Sequence, residues 1–287
     1  MEADRHATEA TSALDEAQRQ LREGVRPITI PTREEMEATK RRLQYKEGIF
    51  HFAVAGVSGS GKSSLINAFR GLRNRDHGAA PTGIVETTGE ITRYPDPDPV
   101  NPWAWYDVPG AGTIRIPDWV YFNAQGLYCF DCIILLFDNR FTETDIAILR
   151  NCARYNIPAY IVRSKSNQHI KNILYDMGYD SDRDETTGHA LAQAARRRYI
   201  AETRASVARN LREAQLPQQR VYVVSKDTLV RIIRDGSAND PLDELELLRD
   251  LLTEARARRS RRPSLDIDGY VGGRPGSSSL PASSSVF

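Results

Sequence analysis

The stretch Ile49-Phe-His-Phe-Ala-Val-Ala-Gly56-Val-Ser-Gly-Ser-Gly61-Lys62-Ser63 decides how the chain reads. Ile49 to Val54 is an apolar run broken only by His51, which predicts a buried strand. At Gly56 it gives way to Gly-x-x-x-x-Gly-Lys-Ser, and Ser64 to Phe69 continues in a helical pattern. Strand, glycine-rich loop and helix in this order form a phosphate loop. Glycines let the backbone curl until its N–H groups point inward at phosphate oxygens, and the helix start adds its positive dipole end. Gly56, Ser58, Gly59, Ser60, Gly61, Lys62, Ser63 and Ser64 are therefore the candidate phosphate-binding residues. Lys62 is assigned to the β- and γ-phosphates, and the Ser63 hydroxyl to Mg²⁺.

Working outward, further strands are predicted at Glu90–Tyr94, Trp103–Asp107, Phe130–Phe137, Ala159–Val162 and Arg220–Val224. Between them Glu143–Tyr155, Asn167–Met177 and Thr186–Gln215 read as helices. Leu242–Arg258 reads as the last helix, with Asp240 as its cap and Pro241 at its first position. Strands alternating with helices imply right-handed crossovers and a mainly parallel α/β sheet covered by helices on both faces. Ligands of such sheets bind beyond the carboxyl ends of the strands. Before the sheet, Thr32-x-x-Glu35 is a capping box opening a helix that reaches toward Tyr45. Ala7, Ala10, Leu14, Ala17 and Leu21 form a weak helical stripe further upstream. The domains expected are a helical lead-in over 1–47, a nucleotide domain over 48–258, and a disordered Ser/Gly/Arg-rich tail over 259–287.

The chain has 287 residues, with 39 Lys plus Arg against 38 Asp plus Glu. That balance gives no electrostatic reason to expect nucleic acid. Three cysteines cannot build a disulfide framework, and Cys129-x-x-Cys132 reads as buried core thiols, not as a metal or redox pair. The N-terminus reads as neither a signal peptide nor a myristoylation start, and no apolar run is long enough for a membrane span.

Asp107-Val-Pro-Gly110 closes a strand downstream of the phosphate loop. There an Asp holds Mg²⁺ and the Gly110 N–H senses the γ-phosphate. Ser164-Lys165-Ser-Asn167 follows the next-to-last strand, and Ser225-Lys226 follows the last. Lys165, Asn167, Ser225 and Lys226 are the candidate base-binding residues.

These motifs, with Gly78-Ala-Ala-Pro-Thr82-Gly-Ile-Val-Glu86-Thr-Thr88 and Asp107-Val-Pro-Gly-Ala-Gly-Thr113, resemble the immunity-related GTPases. These are the interferon-inducible group of the dynamin-like class, and the resemblance covers Ile49 to Lys226. It implies a Ras-like P-loop NTPase fold that binds GTP and GDP with Mg²⁺ and hydrolyses GTP slowly. It further implies stimulation when two G domains meet face to face as a homodimer on a membrane, and so contact with intracellular membranes, while the cysteine usage separately suggests a reducing, cytoplasmic compartment. Carried over by position, Thr82 is the switch threonine near Mg²⁺ and the γ-phosphate, which makes Ser63, Thr82 and Asp107 the metal set. Glu86 is the acidic switch residue used across the dimer, and Thr88 lies in the same contact. Lys62, rather than Met, is similar to the hydrolytically active branch.

Two departures stand out. Asn167 occupies the position where the family carries a base-reading Asp. An amide offers one oxygen, so guanine preference is weakened, by about 1.5–3 kcal/mol for one charge-assisted hydrogen bond. Asn167→Asp is then expected to tighten GTP. The stretch after Ser225 is expected to hold one helix and the tail, without the family's long helical domain. Ala111, directly after Gly110, has no polar end to orient an attacking water, which also predicts slow turnover. The alternatives left open are a nucleotide-binding scaffold without significant hydrolysis, and an NTPase of altered base preference.

Overall fold

The computed structural model describes residues 30–83, 90–110, 118–179 and 185–261. The expected upstream stripe and the expected tail from residue 262 on, with Glu86, Thr88, Ala111 and Thr113, lie outside them, whereas residues 259–261 of that tail are helical. In chain order the elements are α1 (Arg33–Arg42), β1 (Phe50–Ala55), α2 (Lys62–Phe69), β2 (Thr92–Pro95) and β3 (Trp103–Asp107). Next come α3 (Asp118–Ala124), a 3₁₀ turn (Leu127–Cys129), β4 (Cys132–Phe137), α4 (Glu143–Arg154), β5 (Ala159–Arg163) and α5 (Ser166–Asp176). The series ends with α6 (Glu185–Glu213), β6 (Val221–Val223), α7 (Lys226–Asp235) and α8 (Glu244–Arg261).

The six strands form one sheet in the order β2-β3-β1-β4-β5-β6. Every pairing is parallel except that of β2 with β3. This is the Ras-like arrangement. The central strands β1 and β4 are buried at every position. That is why their sequences run apolar instead of alternating. Alternation survives in which core each residue joins. Ala53, Ile133 and Leu135 pack with Phe122, Ile148, Leu149 and Leu211 on one face. Phe52, Val54, Ile134 and Leu136 pack with Leu65, Phe69, Leu229 and Leu251 on the other. Trp105 is stacked between Phe52 and Phe69, with centroids 4.5 and 4.6 Å away. Such pairs add about 0.5–1.5 kcal/mol each beyond their burial.

The helices end where local chemistry dictates. Both Thr32–Glu35 and Thr142–Asp145 are reciprocal capping boxes. Along α6, Ala195, Tyr199, Thr203, Val207 and Leu211 recur every four residues and are all buried, which gives the long helix one inward face. Cys129, Cys132 and Cys152 are buried free thiols, and burial pushes the Cys129 thiol up to about 12.

Three expectations are corrected. After Ser225 there are two helices, α7 and α8, not one. The charged face of α7 obscured its buried Leu229, Val230 and Ile232. The last helix begins at Glu244, not at Pro241, and the Asp243 carbonyl accepts its first bond, from the Leu247 N–H. Here the acidic pair Asp243–Glu244 is turned back toward β6, and the capping signal at Asp240-Pro241 loses to that tertiary contact. Finally, α1 stops at Arg42 because Leu43 and Gln44 close a turn, with Gln44 in the left-handed region. The segment containing α3 and the 3₁₀ turn had no assignment from its sequence.

Candidate functional site

β1 carries the chain into the loop at the carboxyl edge of the sheet. Gly56 has φ +140°, and a Cβ on it would stand 2.0 Å from the Leu136 carbonyl oxygen of β4. Only glycine lets the chain leave β1 so close to its neighbour. Gly61, at φ +95°, sets up the start of α2. The Lys62 side chain folds back over the loop, and its Nζ donates to the carbonyls of Gly56 at 3.2 Å and Val57 at 3.1 Å. Its ammonium is thereby centred inside the curl of amides. The Ser60 hydroxyl donates to the Val57 carbonyl at 2.9 Å, which tightens the same turn.

From β3, Asp107 reaches the first turn of α2, and the Ser63 hydroxyl donates to its Oδ2 at 2.5 Å. Asp107 is buried. A hydroxyl and a carboxylate converging beside a phosphate loop are hard oxygen donors, the set Mg²⁺ prefers. The residues present therefore fit a magnesium ion. Gly110 follows on the same loop and lies directly against Ser58. Thr82, the third residue expected at the metal, stands exposed on the loop beyond α2 and is not part of the Ser63–Asp107 pair.

That loop is anchored by a residue the sequence reading missed. Asn67 of α2 is fully buried; its Oδ1 accepts from the Ala80 N–H at 2.6 Å and its Nδ2 donates to the Ala80 carbonyl at 3.0 Å. Arg70, one turn on, donates to the carbonyls of Gly78 at 2.8 Å and Pro95 at 3.1 Å. Position in the helix was the available signal: Asn67 lies one turn beyond Ser63, and Arg70 lies three residues after Asn67. Ser64 accepts from Asn74 Nδ2 at 3.0 Å and so joins the same anchor.

The loop after β5 is laced to the phosphate loop. The Ser164 hydroxyl donates to the Ser60 carbonyl at 2.7 Å, and Lys165 Nζ donates to the Gly59 carbonyl at 3.0 Å. Lys165, at φ +56°, also pairs with Asp138 at 2.7 Å, and His169 meets the other Asp138 oxygen at 2.6 Å. Burial opposes ionisation of Asp138, but Lys165 and His169 outweigh it and hold its carboxyl below the usual range. Asp138 stands immediately beyond β4, so the rule that ligands gather at strand ends would have found it. At the end of β6 the Val223 N–H donates to Asp243 at 2.9 Å, and just beyond it the Ser225 N–H donates to Glu244 at 2.7 Å. Burial pushes the Glu244 carboxyl up, against the pull of the Ser225 N–H, its own N–H and the Leu242 N–H. Lys226 opens α7 and is exposed, as is Asn167 in the first turn of α5. Asn167, Ser225 and Lys226 line one cavity of about 640 Å³.

The geometry gathers a glycine-bent loop, Lys62 and the Ser63–Asp107 pair at the carboxyl edge of a Ras-like sheet. Residues 32–229, more than half of the chain, match the family model described as Interferon-inducible GTPase. The chain belongs to the interferon-inducible GTPase family. Among curated relatives, Interferon-inducible GTPase 1 of Mus musculus is 38% identical over 124 residues, covering 43% of this chain and 30% of that protein. Interferon-inducible GTPase 5 of Rattus norvegicus is 32% identical over 172 residues, covering 60% and 34%. Interferon-gamma-inducible GTPase 10 of Mus musculus is 27% identical over 195 residues, covering 68% and 43%. The chain thus spans between about a third and less than half of these interferon-inducible GTPases. No helix among the described residues is long and apolar enough to cross a membrane.

Proposed function

We propose that this chain binds GTP and GDP with Mg²⁺ and hydrolyses GTP to GDP and phosphate, slowly alone and faster when two G domains associate. The single observation carrying this reading is the convergence of Ser63 and Asp107 at 2.5 Å beside a loop whose own carbonyls hold Lys62. Ser63 and Asp107, with Thr82 added from the loop, would hold the magnesium. Bound there, the cation neutralises charge on the β- and γ-phosphates.

The rest is the work of the protein. The curled amides of Gly56 to Ser63 bind phosphate oxygens. Lys62 exchanges its two carbonyl partners for phosphate oxygens and stabilises charge that grows there during transfer. The Gly110 N–H reports on the γ-phosphate, and its close seat on Ser58 couples that report to the loop. Ala111 cannot orient a water, so turnover is slow until a second copy supplies what is missing; Glu86 is the side chain we assign to that contact. A membrane surface that concentrates the protein would favour the same association.

Phosphate release measured with GTP, ATP and XTP over a range of protein concentrations tests this. The reading predicts GTP turnover per molecule that rises with concentration and disappears in Lys62→Ala. Nucleotide binding without phosphate release at any concentration contradicts hydrolysis, and a higher rate with ATP contradicts the substrate.

A further inference from the structure

Guanine offers two adjacent donors on one edge, N1–H and the exocyclic amine, and a paired acceptor is required to take both. Asn167 cannot be that acceptor alone. Its Oδ1 takes the Gln168 N–H at 3.0 Å, and its Nδ2 donates to Asp227 Oδ2 at 3.3 Å. The amide orientation is dictated by chemistry: turning it over would set an oxygen against a carboxylate. Asp227 is exposed in the first turn of α7, directly after Ser225 and Lys226, and it lines the same cavity as Asn167. Ser64, the residue directly after Lys62 and Ser63 of the phosphate loop, lines that cavity too, which puts the cavity beside the loop.

We propose that Asp227 is the specificity-determining carboxylate that reads guanine here, with Asn167 as the positioning residue that holds it. The carboxylate expected at position 167, after β5, is supplied instead from the first turn of α7, after β6, and the Asn167 amide orients it by donating to it. This rests on the nucleotide pocket proposed above and deepens it. Guanine preference is then retained, not weakened. The expectation for Asn167→Asp also reverses. A carboxylate at 167 would stand against that of Asp227, and two like charges at that distance disfavour each other. The variant gains no grip on GTP. A carboxylate in the first helical turn also favours the α7 dipole, but a dipole partner alone is indifferent to which base is bound.

Isothermal titration of the full chain with Mg²⁺ and GDP, IDP or XDP separates these roles. Diphosphates avoid turnover, and inosine differs from guanosine only in lacking the exocyclic amine. The wild type is expected to bind GDP at least tenfold more tightly than IDP. Asp227→Asn should lose about 10- to 150-fold for GDP, the loss of one charge-assisted hydrogen bond. It should change much less for IDP and gain for XDP, whose oxo group can accept from the new amide. Asn167→Asp should bind GDP no more tightly than wild type. An unchanged GDP-to-IDP ratio in Asp227→Asn overturns the proposal, as does tenfold tighter GDP binding by Asn167→Asp; either is sufficient. Wild type that binds GDP and IDP equally overturns the base reader alone, whereas wild type that binds none of the three overturns the nucleotide pocket itself.

Discussion

Gly110 lies so close to Ser58 that a Cβ built on it would stand 2.7 Å from both the Cα and the Cβ of that residue. The contact joins the loop after β3 to the phosphate loop without an intervening side chain. Each therefore limits where the other can go.

Gly110→Ala forces the two loops apart. Overpacking of this kind costs about 1–3 kcal/mol, and the thermal midpoint should fall by about 2–4 °C per kcal/mol in a domain of this size. Calorimetric melting of the variant checks it. An unchanged midpoint means that the contact is looser than described.

Asn67→Ala removes both hydrogen bonds to Ala80. The buried Ala80 amide is left to find another partner, at a cost of about 1–3 kcal/mol. Faster hydrogen exchange at the Ala80 amide and a lower urea midpoint are expected. Asn67→Asp keeps the acceptor for the Ala80 N–H but sets a buried carboxylate against the Ala80 carbonyl, so its urea midpoint should fall at least as far. Exchange at Ala80 unaltered in Asn67→Ala would show that the loop is held by other contacts.

The Asp138 carboxyl ionises more readily in the folded protein than an ordinary aspartate, because Lys165 and His169 prevail over burial. Its folded pKa lies below its unfolded value of about 3.9. The stability it contributes is therefore complete above that value and is lost as pH falls through the folded one. Urea midpoints of wild type and Asp138→Asn should differ by a steady amount down to about pH 4 and converge below it. A difference that holds constant to pH 2 would mean that the charge of Asp138 is not what matters.

How much of this could be read in the sequence depended on whether the chemistry was local. The phosphate loop was legible because its glycines, Lys62 and Ser63 are consecutive and each has a reason that the backbone alone supplies. The strands β1 and β4 were legible because full burial leaves an unbroken apolar run. Asp107 was legible because it ends a strand in the right order. Asn67 and Asp138 were not, since each acts on a partner far along the chain: Asn67 on Ala80, and Asp138 on Lys165 and His169. The start of α8 was misread because Asp240-Pro241 carries the local signal while Asp243 and Glu244 answer to Val223 and Ser225. Asp227 was passed over for the same reason. Nothing within its own segment announces that it faces Asn167.

The central claim is that the loop from Gly56 to Ser63, with Lys62 inside it and Asp107 beside it, grips the phosphates of a guanine nucleotide together with magnesium. Titration calorimetry of the full chain with GDP and Mg²⁺, beside the Lys62→Ala variant, tests it most directly. Saturable heat for the wild type that vanishes in a folded Lys62→Ala is the predicted result. Equal binding by the two proteins, or no heat from the folded wild type, would contradict it.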